Sequence, residues 1–379
     1  MPSWSVHFNV TVRTAAPSLI RAMERSRALA ETLRGIPVST GVRERLYALN
    51  VARAVYGTTA LEGTRISEAE ALEVLHAAPD RRVLPPDRAH DEREARNAQA
   101  ALQFVQRTAR SDPGRPLDEM LIREIHRLTT DGLAYARNVP GEYRNHAVTV
   151  GDYRPPPTSE EVRRHMAEFL RWFNQGEALR WDPIVRAALA HFYVVSIHPF
   201  GDGNGRTSRA VESFMLCRAG IHAFGFYSLA NYYYRHRGEY IRALSAARFR
   251  SDGDLTDFVL FAAQGLASEL AAVRDELLAM VRVLAFRDYA RERLEAVPGL
   301  GERRRSRMLE VVRRITEPSL RGVPDQELAP DVLVAMTYGR VGQRTIQRDL
   351  RLLLDQGLLT ERDGRLVPNV DVMSEFAEA

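Results

Sequence analysis

His198-Pro-Phe-Gly-Asp-Gly-Asn-Gly-Arg-Thr-Ser-Arg209 interrupts a chain that is otherwise patterned almost wholly as helix between Pro17 and Ala285. The apolar run Ala188-Leu-Ala-His-Phe-Tyr-Val-Val-Ser-Ile197 predicts a helix that delivers His198 at its end. Pro199 biases His198 out of the helical region and forces a turn. Phe200 is the one apolar anchor between Pro199 and Arg209, so it should pin the loop to the core. Gly201-Asp-Gly-Asn-Gly205 then makes a tight, side-chain-poor loop leading into a second helix. Such a loop leaves backbone N–H groups free at a helix N-terminus, where the macrodipole favours an anion. Arg206 and Arg209 lie three residues apart in the first turns, hence on one face, and both can reach a polyphosphate seated there.

Each residue type suits a task at such a seat. His198 can accept a proton from an attacking hydroxyl. Asp202 can hold Mg2+, which takes one or two protein carboxylates and completes its shell with phosphate oxygens and water. Asn204 can hydrogen-bond a phosphate oxygen, and Gly203 and Gly205 permit close backbone approach. The two arginines can offset the charge on a leaving pyrophosphate. Singly, each feature is ordinary, since a histidine at a helix end is usually structural and a glycine-rich turn is usually only a turn. Together, within twelve residues at a helix start, they make a case for phosphate chemistry.

Outward from this segment, residues 4–12 alternate apolar and polar and predict a short strand. Periodicity predicts helices near 17–34, 41–57, 67–77, 88–110, 117–131, 158–175, 182–197, 204–219, 229–247 and 255–285. Ser67 with Glu68 and Glu70, and Thr158 after Pro155-Pro-Pro157, are helix start signals. Tyr143-Arg-Asn-His-Ala-Val-Thr-Val-Gly-Asp-Tyr153 is β-prone with a Gly-Asp turn, and predicts a hairpin or flap. Past residue 285, Pro298-Gly-Leu-Gly301 precedes the basic run Arg303-Arg-Arg-Ser-Arg307. The remainder reads helix (303–315), helix (330–337), helix (342–356) and two short strands across Asp363-Gly364, the order of a winged helix-turn-helix. The expected organisation is an N-terminal helical region over 1–110, a catalytic core over 111–285, a linker over 286–302 and the winged helix over 303–375.

The segment 198–209 resembles the Fic signature HxFx(D/E)GN(G/K)RxxR at every specified position: His198, Phe200, Asp202, Gly203, Asn204, Gly205, Arg206 and Arg209. The resemblance covers about residues 40–285 and implies an all-α dominated fold, a Fic-type helical bundle with a short β-hairpin flap. It implies transfer of AMP from ATP, with Mg2+, to a Ser, Thr or Tyr hydroxyl of a protein. His198 would be the general base, Asp202 the Mg2+ ligand, and the loop the phosphate binder, with Arg209 serving the γ-phosphate. Gly141-Glu-Tyr-Arg144, Val148-Thr-Val-Gly151 and Pro155-Pro-Pro157 resemble the family's flap, which holds a target's backbone by strand addition. Val148, Thr149, Val150 and Gly151 are therefore expected at the nucleotide, and residues 143–153 along the target protein. Arg237-Gly-Glu-Tyr-Ile-Arg-Ala-Leu244 resembles the adenine-side helix, with Tyr240-Ile241 where members often carry two tyrosines.

Thr58-Thr-Ala-Leu-Glu-Gly63 matches that family's inhibitory pattern (S/T)xxxE(G/N). Thr58 and Glu62 are four apart and share a helical face, with Gly63 suited to end the helix. A carboxylate aimed at Arg209 would form a bidentate pair and take the arginine from the γ-phosphate. The implied activity is thus held off by Glu62, with reverse removal of AMP also open. In the C-terminal module, Ile346, Leu350, Leu353 and Leu354 form one stripe of a helix, while Arg344, Gln347, Arg348 and Arg351 fall on the other side. That is the look of a DNA-recognition helix, so DNA is an expected partner beside the target protein and a second copy of the chain.

Composition narrows the classes. All 53 basic residues of the 379 are arginine, which excludes a Walker-type phosphate lysine and a Schiff-base lysine. The formal net charge of +4 permits nucleic-acid contact without arguing for it. Cys217 stands alone in an apolar run and forms no intrachain disulfide. Met1 to Thr14 lacks a secretory pattern, and no apolar run looks long enough to span a bilayer, so the expected setting is cytoplasmic with no membrane partner. Two other readings stand beside the first. One is a DNA-binding regulator that senses nucleotide without turnover, which the intact His198 speaks against. The other is an enzyme with a different donor, which Gly205 after Asn204 speaks against.

Overall fold

The computed structural model describes residues 6–78, 80–221, 229–249, 252–317, 341–362 and 365–375. The chain divides into two compact units, residues 1–37 with 46–272, and residues 38–45 with 273–379. The first holds α1 (Pro17–Gly35), most of α2 (Thr40–Ala60), α3 (Glu68–His76), α4 (Ala89–Ser111), α5 (Glu119–Thr130) and α6 (Ser159–Phe173). It continues with α7 (Pro183–Ile197), α8 (Asn204–Arg218), α9 (Leu229–Arg235), α10 (Arg237–Phe249) and the start of α11 (Thr256–Glu295).

The start signals read from sequence are real caps. Ser67 with Glu70 and Thr158 with Glu161 close reciprocal capping boxes, which satisfy donors that a helix N-terminus leaves unpaired. Asp182 caps α7, and Pro183 takes the first helical position, where its missing N–H costs nothing. At the centre, α7 is buried at every position from Ile184 to Ile197, and α8 packs against α7, α4 and α5. Phe169, Phe173, Phe192, Tyr193, Phe200, Phe214 and Phe258 fill the space around them.

Several expected elements differ. Of the strand at 4–12, residues 4 and 5 lie outside the described residues. The rest makes a single parallel bridge, Thr11 to Asp254, because among the described residues its extended partner is the short approach to α11. The hairpin at 143–153 reduces to one antiparallel bridge, Val150 to Tyr153, since the prolines after it cannot donate to a ladder. The helix expected over 229–247 is broken at His236 into α9 and α10. The expected boundary at 285 falls inside α11, which runs on to Glu295. There Phe286, Ala290 and Leu294 continue one buried face, and nothing breaks the helix before Pro298. By length and composition α11 could cross a membrane, contrary to the sequence reading, yet 67% of its most apolar window is buried within the protein. The regions 1–110 and 111–285 do not separate, because α4 and α8 pack together across that division.

The second unit comprises the rest of α11, α12 (Glu302–Ile315), α13 (Gln343–Asp355), the hairpin β1 (Leu359–Arg362) and β2 (Arg365–Pro368), and α14 (Val372–Glu375). The strands pair antiparallel from Leu359–Pro368 to Arg362–Arg365. Phe286, Leu294, Met308, Val312, Leu353 and Leu358 form its core. Asp349, fully buried on α13, pairs with Arg304 at 2.6 Å and Arg307 at 3.1 Å from α12. The helix expected at 330–337 and the Asp363-Gly364 turn lie outside the described residues.

Gly57 of α2 meets α9 so closely that an added Cβ would overlap the backbone of Ala230 and Asn231. Backbone cannot swing aside as a side chain can. Gly57→Ala should therefore destabilise by about 1–3 kcal/mol despite the ~1 kcal/mol that alanine gains in helix propensity. A thermal melt should show a drop of about 2–4 °C per kcal/mol.

Candidate active site

The loop between α7 and α8 is shaped by its own side chains. His198 caps α7 in the left-handed region (φ 52°, ψ 57°), while Pro199 after it disfavours continued helix. Its Nδ1 lies 3.2 Å from the Val195 carbonyl, which can only accept. Nδ1 therefore carries the proton and Nε2 keeps a free lone pair. Burial, with Arg248 and Arg144 nearby, holds the imidazole down at about 4, so it is neutral at physiological pH.

Phe200 is fully buried and stacks on the His126 ring at 3.7 Å between centroids. The Asn204 side chain accepts from the Phe200 N–H at 2.9 Å and donates to its carbonyl at 3.0 Å. Asn204 thus folds the loop through its amide, which leaves one of its two amide N–H groups for a ligand. Gly203 sits at φ 72°, and a Cβ there would overlap the Thr130 methyl, so the position needs glycine twice over. Asn204, Gly205 and Arg206 form the first turn of α8, whose N–H groups have no partner within the helix.

Arg206 and Arg209 diverge in role. Arg206, 3% exposed, donates to Glu94 at 2.5 Å, to the Tyr135 hydroxyl at 2.7 Å and to Asp202 at 3.2 Å. Rather than facing a phosphate with its whole guanidinium, it braces the loop. Asp202 receives the Arg206 contact and the Gly203 N–H on Oδ1, while its side chain stays 45% exposed. Arg209 donates from Nε to the Thr58 hydroxyl at 2.8 Å and from Nη2 to the Thr58 carbonyl at 3.0 Å and Glu62 Oε1 at 2.6 Å.

Sequence reasoning placed Glu62 opposite Arg209, and it is there, with two differences. The pair is made through one nitrogen rather than two, because Thr58 takes the other edge of the guanidinium. Glu62 also lies in the turn after α2 ends at Ala60, not on the helical face, and Gly63 at φ 97° closes that turn. Burial pushes the Glu62 carboxyl up, but Arg209, Arg206 and His198 together outweigh it and hold Glu62 ionised below its usual range. One carboxylate thus lies within the electrostatic reach of His198 and both arginines.

The flap is tied at both ends. Arg144, 3% exposed, donates to the carbonyls of His198 at 2.7 Å, His146 at 2.7 Å and Pro156 at 2.6 Å. Tyr153 donates to the Ser196 carbonyl at 2.7 Å. Val148, Thr149, Val150 and Gly151 lie between these ties, half-buried or exposed. Tyr240 and Ile241 part company: Tyr240 is buried against Tyr233 and lies 2.9 Å from His191 Nε2, whereas Ile241 is 47% exposed.

Sequence reading missed His126, Glu94, Tyr135, Asn138 and the clamp made by Arg144. His126 is nearly fully buried; its Nε2 donates to the Asp202 carbonyl at 3.0 Å and its Nδ1 accepts from Gly141 N–H at 2.9 Å. Asn138 accepts from the Asp202 N–H at 3.0 Å. These residues come from α4, α5 and the segment after α5, more than 50 positions from the residues of the 198–209 loop that they hold, and no local spacing marks them. Among the described residues no group of three or more His, Cys, Asp or Glu side chains is placed to hold a metal. Exposed Asp202 alone fits Mg2+, which can draw its remaining ligands from phosphates and water.

Comparison with known proteins adds a family to this geometry. Residues 116–216 match the model of the Fic/DOC family. Protein adenylyltransferase fic-1 of Caenorhabditis briggsae is 31% identical over 211 residues, covering 55% of this chain and 38% of its own length. Protein adenylyltransferase Fic of Aedes aegypti is 32% identical over 212 residues, 55% of this chain and 39% of its own. The chain thus spans about two fifths of the curated relatives it matches. The solved structure of Caenorhabditis elegans Fic-1 (aa134 - 508) superposes with a TM-score of 0.55 at 26% identity, over 68% of this chain and 72% of that one. A Fic family protein from Desulfovibrio desulfuricans G20 shares the fold over 95% of this chain and 94% of that one, with a TM-score of 0.56 at 18% identity. From the approach to α5 through Leu216 in α8, this chain carries a Fic/DOC family domain.

Proposed function

We propose that the chain is a protein adenylyltransferase that transfers AMP from ATP to a hydroxyl of a protein and is held off by Glu62. The observation that carries it is the convergence of an unprotonated His198 Nε2, the open first turn of α8 and Arg209, with the Glu62 carboxylate lodged among them. The neighbours bearing the name protein adenylyltransferase support the same reaction.

In this reading the triphosphate seats on the first-turn N–H groups of α8. Arg209, released from Glu62, binds the γ-phosphate, and Arg206 keeps Asp202 in place. Asp202 would hold Mg2+, which neutralises phosphate charge as pyrophosphate leaves. His198 Nε2 takes the proton of the target hydroxyl, whose oxygen bonds to the α-phosphorus as the bond to the bridging oxygen breaks. The flap at 143–153 presents backbone to the target, its two ends fixed by Arg144 and Tyr153. Tyr153 is a poor self-acceptor, since its hydroxyl is buried and already donates to Ser196.

The C-terminal unit supports a DNA partner as a second element of the proposal. On α13, Arg344, Gln347, Arg348 and Arg351 are exposed while Ile346, Leu350 and Leu353 join the core, as in a helix that reads a groove.

Incubation with Mg2+ and α-labelled or γ-labelled ATP tests the reaction. Glu62→Gly should incorporate α label well above the parent and no γ label, and His198→Ala in that background should abolish it; γ label alone would mean phosphoryl transfer. The acid limb should follow His198: with its value near 4, transfer by Glu62→Gly should hold down to about pH 6, where an imidazole at 6.5 would be mostly protonated. Removing Glu62, whose charge raises His198, moves that limb lower still. For the C-terminal unit, duplex DNA binding should weaken as salt rises, and Arg348→Ala should weaken it further in an electrophoretic shift. Salt-insensitive or absent binding would assign α13 to another role.

A further inference from the structure

Gly205 is the second residue of α8, and nothing in its backbone calls for glycine. Unlike Gly203, it does not adopt positive φ. Inside a helix glycine is disfavoured relative to alanine by roughly 1 kcal/mol. Yet an ideal Cβ at this position would overlap Glu62 Oε1 and stand 3.0 Å from Arg209 Nη1. The space that a side chain would fill is filled by the Glu62–Arg209 pair. The carboxylate thus lies against the first turn of α8 beside Gly205 while it pairs with Arg209.

We infer that Gly205 is the residue that admits the glutamate: its missing side chain makes room for Glu62 on the α8 N-terminus, and any Cβ at 205 destabilises the inhibited state. The inference rests on the proposed autoinhibition and adds a second determinant to it, on the opposite side of the contact from Glu62. The overlap falls on a carboxylate held in place by Arg209 at 2.6 Å, and Arg209 is held by Thr58 through two further contacts. Any shift of Glu62 away from Gly205 therefore strains its ion pair with Arg209. An added methyl group leaves the α8 backbone N–H groups in place, so its direct overlap is with the Glu62 carboxylate.

The test is a double-mutant cycle on AMP incorporation from α-labelled ATP with Mg2+, comparing parent, Gly205→Ala, Glu62→Gly and the double variant. Gly205→Ala should raise incorporation over the parent by about tenfold, the factor that corresponds to about 1.4 kcal/mol of overpacking in the inhibited state. In the Glu62→Gly background the same change should bring no rise. A fall by one factor in both backgrounds would mean that Gly205 serves the nucleotide, and would overturn the inference. So would an unchanged or lower level in Gly205→Ala when Glu62→Gly activates. If Glu62→Gly itself fails to activate, the autoinhibition reading falls first. A melting temperature for Gly205→Ala at or below that of the parent, with a folded circular-dichroism spectrum, is also expected, because the added methyl group disturbs the Glu62–Arg209 pair. A clear rise would mean that the site accepts a Cβ without disturbing that pair, against the inference.

Discussion

The reversal from α7 into α8 depends on one side-chain amide. Asn204 bonds both the N–H and the carbonyl of Phe200, closing the loop as a backbone turn would. That fixes Phe200 in the core, where it stacks on His126, and His126 in turn holds the Asp202 carbonyl and the Gly141 N–H. His198 then has to leave α7 in the left-handed region, a conformation that costs a non-glycine residue of order 1 kcal/mol. Arg144 helps to hold it there by donating to the His198 carbonyl. His198, Asp202 and the flap are thereby referred to one small rigid turn.

Around that turn the charges are divided by burial. Arg206 is buried with Glu94 and Tyr135, and its remaining contact goes to Asp202. A buried ion pair of this kind gains little net stability over an apolar replacement, but removing one partner would strand the other charge. It acts here as a fixed brace. Arg209 is different. Its partner Glu62 keeps 35% of its side chain exposed and sits on a turn beyond the end of α2, where it can leave without unpacking a core. The structure places the buried pair and the partly exposed pair three residues apart on one helix.

Much of this was legible because it is local. The capping boxes at Ser67 and Thr158, the buried run of α7 and the break at Pro199 depend on neighbouring residues and appear as read. Elements that needed a distant partner were read less well. The alternating pattern at 4–12 says strand, but its described part finds only Asp254 to pair with, so one bridge forms. The flap stops at a single bridge because the prolines after Tyr153 cannot donate to a ladder. α11 continued past 285 because its apolar face found a second core, which the composition change at that point concealed.

By itself the sequence marked most of the helices, the position of the loop at 198–209 and the pairing of residue types that sets Glu62 against Arg209. Those depend on spacing along the chain, and spacing is what a sequence records. Tertiary structure decided which side chains of the loop face a ligand and which face inward: Asn204 and Arg206 turned to bracing, and His126, Glu94 and Arg144 joined from elsewhere. A buried polar group must find a partner in whatever lies across from it. That partner is fixed only when α4, α5 and the flap have packed onto α7 and α8.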